Sequence, residues 1–113
     1  MTIKRFETGP RMSQAVVHGG TVYLAGQVAK GASVKEQTTA ILKQIDALLA
    51  AAGTDKSKLL SATIWLTDIS KFSEMNSVWD PWVSPGNTPA RACVESKLAA
   101  PDYLVEIGAI CAV

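Results

Sequence analysis

Three short segments near the start of the chain carry apolar residues and are bounded by turn-forming glycine and proline, a pattern typical of β-strands. These segments are residues 3–7, 14–18 and 21–29. Gly9-Pro10 ends the first segment. Gly19-Gly20 joins the other two, and because glycine tolerates positive φ, this dipeptide suits a tight turn. We therefore predict a short strand followed by a β-hairpin.

Two later segments have the apolar spacing of amphipathic helices. Ser33 and Glu36 match a capping box, and Gly53 stands where a left-handed C-terminal residue is favoured, so a helix is predicted between them. Its apolar face comprises Val34, Ile41, Ile45, Leu48, Leu49 and Ala52. Asp68 or Ser70 can cap a second helix, whose last turns Pro81 should kink or loosen. The apolar stripe of this second helix is Phe72, Met75, Trp79 and Val83.

Three more strands are predicted from apolar runs and turn residues, at 58–67, 88–95 and 103–112. Strands interleaved with only two helices favour an α+β fold, with one sheet and both helices packed on a single face. The opposite sheet face then has no cover of its own. A face rich in apolar side chains is normally buried against another subunit, so we predict a homo-oligomer.

Composition narrows the functional classes. The 113 residues predict one domain over 1–113. A formal net charge of +1 with scattered cations argues against a nucleic-acid partner. No apolar run is long enough to span a bilayer or to act as a signal peptide, and two cysteines are too few for a disulfide scaffold. We therefore predict a cytoplasmic protein that has no membrane partner.

The usual phosphate-binding, zinc-hydrolase and nucleophilic-serine motifs do not occur in this sequence. The pattern therefore predicts neither a nucleotide cofactor nor a metal site. His18, the single histidine, lies beside the Gly19-Gly20 turn, where an exposed polar residue is the simpler interpretation and a general base is the alternative.

Arg91 is the strongest candidate for a functional residue. It lies in the segment Thr88-Pro89-Ala90-Arg91-Ala92-Cys93-Val94-Glu95, where strand alternation puts Arg91, Cys93 and Glu95 on one face. A guanidinium is always charged and presents a rigid fork of donors, so beside apolar neighbours it needs a carboxylate or phosphate partner. That partner is either a ligand or a protein carboxylate in a structural ion pair.

Other candidates have two interpretations each. Cys93 is a thiol activated by Arg91 or a small apolar strand residue, whereas Cys111 reads as a core residue. Glu106 is an acid or base, or the ion-pair partner of Arg91 or Lys97 on an adjacent strand. The three tryptophans form either a ligand wall or core and interface contacts; they are Trp65, Trp79 and Trp82.

Several motifs together resemble the Rid family, also called YjgF/YER057c/UK114. They are Pro89-Ala90-Arg91-Ala92-Cys93-Val94-Glu95, Val105-Glu106-Ile107, Leu24-Ala25-Gly26-Gln27, and Asn76 ahead of Trp79-Asp80-x-Trp82-Val83. The helix with two tryptophans is similar to the YoaB-like branch. The resemblance implies a chorismate-mutase-like mixed sheet in a homotrimer, with the sheets forming a central barrel and ligand clefts between subunits.

The resemblance also implies an activity. Active members are enamine/imine deaminases that hydrolyse small reactive 2-imino acids to 2-keto acids and ammonia without a cofactor. In this chain Arg91 would anchor the substrate carboxylate, Gly26 would offer backbone groups close to the ligand, and Cys93 would line the pocket.

Three positions depart from the family pattern. Met12 stands in place of the pocket tyrosine, and Ala25 replaces the serine before the Gly-Gln pair. Gly108 occupies the position of a second glutamate on the last strand, which orients the attacking water and which we expect opposite Arg91. Two functions therefore stay open: an imine/enamine deaminase, and a non-catalytic trimeric binding or regulatory protein for small carboxylates such as 2-keto acids.

Overall fold

The computed structural model describes residues 2–113, which form one six-stranded sheet and two α-helices. The elements are β1 (Lys4–Phe6), β2 (Ala15–His18), β3 (Thr21–Leu24), α1 (Val34–Ala51), β4 (Leu59–Leu66), α2 (Phe72–Trp82), β5 (Ala90–Glu95) and β6 (Val105–Ala112). This βββαβαββ order confirms the predicted α+β class.

The sheet has the strand order β1-β2-β3-β6-β4-β5. All neighbouring pairs are antiparallel except β4 and β5, which run parallel, so the sheet is mixed. The last strand of the chain therefore lies in the middle of the sheet, and β5 forms one of its edges.

Both helices pack on the same sheet face, where one continuous core includes Ile41 and Leu49 of α1, Met75 of α2, and Ile64 and Ile107 of the central strands. Each of these side chains is fully buried. No element of residues 2–113 covers the other face, which carries Tyr23, Trp65 and Ile110 among its side chains.

The start of α1 follows the predicted capping box with one change. Ser33 Oγ accepts a hydrogen bond from the amide of Glu36 at 3.1 Å. The Glu36 carboxylate accepts from the amide of Ala32 at 2.8 Å, one residue before the cap. Gly53 ends the helix with φ +84°, as predicted.

The second helix is entered through a short 3-10 turn, Ile69–Lys71, and Asp68 is the capping residue of that turn. Asp68 Oδ1 accepts from the amide of Ser70 at 2.9 Å, but α2 itself begins after Lys71 without a side-chain cap, so neither Asp68 nor Ser70 caps α2 directly. Pro81 is the penultimate residue of α2, and the helix ends at Trp82, which leaves Val83 outside the predicted stripe.

All six predicted strands are shorter in the structure, most of all the one expected over 21–29. The chain leaves β3 after Leu24 and returns to the sheet only at Gln27, which pairs with Ile107 in an isolated bridge. The last strand begins only at Val105, because the buried side chain of Gln37 forms hydrogen bonds with the backbone of the residues before it. Gln37 Oε1 accepts from the Leu104 amide at 2.8 Å, and Gln37 Nε2 donates to the Asp102 carbonyl at 2.9 Å.

No helix formed by the described residues combines the length and the apolar character needed to cross a bilayer.

Candidate functional site

Arg91 lies on the edge strand β5 and its side chain turns toward the helices. Its Nη1 donates a hydrogen bond to Asn76 Oδ1 on α2 at 2.8 Å. The guanidinium carbon stands 5.6 Å from the ring centroid of Phe72 and 5.3 Å from that of Trp79. Helix α2 therefore holds the cation with one amide acceptor and two aromatic faces, which attract cations through their quadrupoles.

The remaining donors of Arg91 are available to a ligand. A guanidinium has five N–H groups, and one of them faces Asn76. The residue is only partly buried, and within residues 2–113 every buried side-chain nitrogen and oxygen has a hydrogen-bond partner, so the other donors face solvent. The hydrogen-bond partner of Arg91 within residues 2–113 is thus a neutral amide, which leaves the positive charge available to an incoming carboxylate.

Cys93 lies two residues along β5 on the same face and packs against the core. Burial raises the pKa of its thiol, and the charge of Arg91, which lowers it, is the smaller effect. The structure therefore favours the small apolar interpretation of Cys93 over the activated thiol. Cys111 is fully buried, as predicted for a core residue.

The predicted pairing of Glu106 with Arg91 on an adjacent strand is wrong. Strand β4 lies between β5 and β6, so the two residues are never on neighbouring strands. Arg91 is in register with Ala62, and Glu106 with Trp65. Ala62 and Trp65 are three positions apart on one strand, so their side chains point to opposite faces of the sheet. The side chains of their register partners, Arg91 and Glu106, therefore also point to opposite faces.

Gly108 likewise does not lie opposite Arg91 within one chain. It is in register with Thr63, on the face that carries no helix. A Cβ at Gly108 would stand 3.5 Å from Cζ3 of Trp65 and 4.0 Å from the Cα of Gly26. Gly26 and Gly108 are thus neighbours on the uncovered side of the protomer, and Arg91 is on the other side.

Gly26 is in direct contact with Glu106. A Cβ at Gly26 would overlap the Glu106 carboxylate oxygen Oε2 and would lie 2.8 Å from the carboxyl carbon and 3.2 Å from Cγ. Only a residue without a side chain leaves this space to the carboxylate. This contact was not predicted from the sequence, because it depends on where the chain bends after β3.

Met12 and Gly26 meet at a cavity of about 520 Å³ between the N-terminal hairpin and α1. Its lining includes Gln14 and Gln27, and Gln27 Nε2 donates to Gln14 Oε1 at 2.9 Å and to the Ala25 carbonyl at 3.0 Å. Apolar lining comes from Val28, Ala47 and Leu48. The structure thus brings Met12 and Gly26 together, but apart from Arg91 and Cys93.

The other candidates take structural places. His18 is exposed at the hairpin, and Trp79 is a core residue that also contacts Arg91. Trp82 donates from Nε1 to Asp46 Oδ2 at 3.0 Å. The contacts of Asn76 and Phe72 with Arg91 were not predicted from the sequence, although Asn76 belonged to the family motif.

No group of three or more His, Cys, Asp or Glu side chains within residues 2–113 is placed to bind a metal ion.

The fold and the edge arginine define a class, that of small α+β proteins built on one mixed sheet with both helices on one face. The family model described as Endoribonuclease L-PSP matches residues 2–113. The RutC family protein YoaB from Escherichia coli strain K12 is 43% identical over 114 residues, and the match covers 100% of both chains. A RutC family protein from Haemophilus ducreyi is 42% identical over 107 residues, covering 93% of this chain and 92% of that one.

Solved structures agree with the sequence matches. A YjgF family member from Neisseria meningitidis is 48% identical with a TM-score of 0.97, covering 99% of this chain and 95% of that chain. A YjgF/YER057c/UK114 family member from Mycobacterium tuberculosis is 30% identical with a TM-score of 0.91, covering 99% and 100%. The chain belongs to the Endoribonuclease L-PSP family, which is the YjgF/YER057c/UK114 or Rid family.

Proposed function

We propose that the protein hydrolyses small 2-imino or 2-enamino acids to 2-keto acids and ammonia, with Arg91 as the carboxylate anchor. The observation that carries this proposal is the Arg91 guanidinium, which is held by Asn76 and the rings of Phe72 and Trp79. Its position is fixed, and its remaining donors are free to form two parallel hydrogen bonds with a carboxylate.

Hydrolysis of an imine requires little from the site beyond holding the substrate in position. With the carboxylate held by Arg91, the neighbouring C=N carbon is fixed where a water molecule can attack it. The water oxygen bonds to that carbon, the π pair moves to nitrogen, and collapse of the adduct gives the keto acid and releases ammonia. An imine is already unstable in water, so a modest acceleration is enough.

We also propose that the protein works as a homotrimer whose sheets form a central barrel, with sites between subunits. In one protomer Arg91 and Cys93 lie on the helix side of edge strand β5, whereas Met12, Gly26 and Gly108 lie elsewhere. A neighbouring copy can bring the two groups together. The uncovered sheet face, with Tyr23 48% exposed, and the open edge of β5 support such an association.

Turnover by Arg91 variants tests the proposal. An imine generated in the assay from an amino acid is followed by release of keto acid and ammonia, with and without protein. Wild type is expected to exceed the buffer rate, Arg91→Ala to return to it, and Arg91→Lys to keep the charge but lose the bidentate geometry and most of the rate. Arg5→Ala, which removes an exposed arginine on β1, is the matched control. Equal rates for wild type, Arg91→Ala and buffer would refute the deaminase.

Gly108 favours a second candidate, a binding or regulatory protein for small carboxylates such as 2-keto acids. This position offers no carboxylate to orient water, so Arg91 would hold a ligand without turning it over. Calorimetric titration with 2-keto acids would then show binding that Arg91→Ala removes, together with no turnover.

Gly108→Glu separates the two candidates further. A Cβ there meets Trp65 at 3.5 Å, which is ordinary van der Waals contact, so the variant is expected to fold. A gain in turnover indicates a deaminase scaffold, whereas unchanged binding without any turnover supports the binding protein.

A further inference from the structure

We propose that Trp82 and Asp46 are positioning residues for the carboxylate anchor Arg91, acting through the ring of Trp79. The inference rests on the part of the proposed function that both candidates share, in which Arg91 binds a carboxylate, and it adds the residues that hold this anchor in place. It is carried by a continuous series of contacts that begins on the surface of α1 and ends at the guanidinium.

The series starts at the Trp82 indole, which is held at its edge and at its face. Trp82 Nε1 donates a hydrogen bond to Asp46 Oδ2 on α1 at 3.0 Å. Lys56 Nζ, in the short 3-10 turn Lys56–Lys58 after α1, stands 5.1 Å from the Trp82 ring centroid. An ionised acceptor strengthens the first contact and the ring quadrupole attracts the lysine cation, so both contacts fix the indole.

Trp82 packs against Trp79, which lies one turn earlier on α2. Their ring centroids are 5.3 Å apart and the ring planes are inclined by 48°, an arrangement typical of interacting aromatic pairs. Trp79 in turn contacts Arg91, whose guanidinium carbon stands 5.3 Å from its ring centroid. Because Trp79 is only 5% exposed and lies in a close-packed core, a shift of the Trp82 indole displaces its neighbour Trp79. Trp82 therefore helps to set the position of the ring against which Arg91 lies.

The end of α2 needs this support because Pro81 weakens its last turn. Proline has no amide hydrogen, so one backbone hydrogen bond of the helix is missing at Pro81. The Val83 amide, which donates to the Trp79 carbonyl at 3.0 Å, closes the helix. Asp46 lies 36 residues before Trp82 in the sequence, and its hydrogen bond therefore ties the weakened turn to α1.

Substrate kinetics separate positioning from a merely structural role. Trp82→Phe keeps an aromatic ring but removes the donor, and Asp46→Ala removes the acceptor. We expect each change to raise KM about threefold with kcat within about twofold of wild type, because a loosened anchor weakens ground-state and transition-state binding alike. Asp46→Asn keeps an acceptor oxygen for Trp82 and should retain the wild-type KM. Asp80→Ala removes an exposed carboxylate from the same end of α2 and is the matched control.

The double variant Asp46→Ala/Trp82→Phe tests whether the two residues act through one contact. Each single change already breaks the same hydrogen bond, so the double variant should raise KM no further than Trp82→Phe alone. A multiplied effect, about ninefold, would show two independent contributions and would overturn the series of contacts.

Chemical labelling reports on the Arg91 guanidinium without turnover. Phenylglyoxal modifies accessible guanidinium groups, and peptide mass spectrometry distinguishes the three arginines of the chain, Arg5, Arg11 and Arg91. Arg5 and Arg11 are exposed and serve as internal references. Relative to them, Arg91 should be labelled about threefold faster in Trp82→Phe and in Asp46→Ala than in wild type, because its guanidinium spends more time away from the aromatic rings.

The outcomes distinguish this inference from the proposed function. Unchanged KM and unchanged labelling of Arg91 in Trp82→Phe and Asp46→Ala overturn the positioning role and leave the deaminase intact. A lower melting temperature without a rise in KM or in labelling indicates a structural role and also overturns it.

If wild type binds a 2-keto acid without turnover, the deaminase is lost and the calorimetric Kd of 2-oxobutanoate takes the place of KM. Absence of both Arg91-dependent turnover and Arg91-dependent binding in wild type overturns the proposed function and this inference together. If Trp82→Phe fails to fold, the surface variant Asp46→Ala decides between these results.

Discussion

Arg91 shows how a charged side chain can be held without an opposite charge. Its acceptor is the neutral amide of Asn76, and the aromatic faces of Phe72 and Trp79 complete its surroundings. A carboxylate in place of Asn76 would compete with any anionic ligand, whereas an amide orients the guanidinium and leaves its charge in force. The surroundings of Arg91 therefore favour binding of an external carboxylate over an ion pair within the protein.

The thiol of Cys93 is predicted to react slowly at neutral pH, because burial raises its pKa more than Arg91 lowers it. Alkylation by iodoacetamide followed from pH 7 to 10 should accelerate steeply toward the alkaline end. Removing the nearby cation in Arg91→Ala should slow it further at each pH. Cys93→Ser identifies the labelled residue, since Cys111 is fully buried. Rapid labelling of Cys93 at pH 7 would contradict this prediction.

At the scale of elements, predictions from the sequence were most accurate where an element's ends depend on residues close in the sequence. Ser33 and Gly53 marked both ends of α1 because caps act through their own backbone. The prediction failed where a distant side chain intervenes. Gln37, which reads as a polar helix residue, is fully buried and binds the backbone 65 residues further along, at Asp102. No periodicity could reveal this contact.

The Ser33 cap gives a stability prediction. Ser33→Ala removes the acceptor of the Glu36 amide and should lower the free energy of unfolding by about 0.5–2 kcal/mol. Ser33→Asp keeps an acceptor at the N-terminus of α1 and should stay close to wild type. Urea denaturation of the three proteins at one concentration measures the differences. A Ser33→Asp variant as unstable as Ser33→Ala would show that the cap is not the cause.

Two leucines on strand β4 provide a matched comparison of burial. Leu66 is fully buried in the core, whereas Leu60 is 50% exposed at the irregular register between Leu59 and Ser61. Leu66→Ala should cost about 2–5 kcal/mol of unfolding free energy, the usual range for a buried leucine, and Leu60→Ala far less. Comparable losses measured by the same denaturation would indicate that Leu60 is covered by another copy in solution.

At the scale of the whole molecule, sequence alone indicated the site residues but not their arrangement. Arg91, Cys93, Gly26, Met12 and Gly108 were selected from motifs, and the fold separates them into groups on different sides of the protomer. The separation follows from strand order, because β6 inserts between β3 and β4. Strand order depends on contacts distant in sequence, so local patterns did not determine it.

The proposed homotrimer predicts a mass near three times the 12.0 kDa chain, measurable by light scattering. Ile110 lies on the uncovered face of central strand β6, so Ile110→Lys should put a charge into the subunit contact and shift the protein toward monomer. His18→Lys, at the exposed hairpin, is the control and should keep the wild-type mass. A monomeric wild type would refute the trimer.

The central position of β6 also has a consequence for protein synthesis. Strands β1, β2 and β3 form one part of the sheet and β4 and β5 another, and only β6 joins them. Ribosomes add roughly 5–20 residues per second from the N-terminus, so both parts leave the ribosome before residues 105–112 can join them. Until then two sheet edges, those of β3 and β4, stay open to other nascent chains. The interval between the emergence of β4 and that of β6 is therefore the period when both inner sheet edges are open to unwanted pairing.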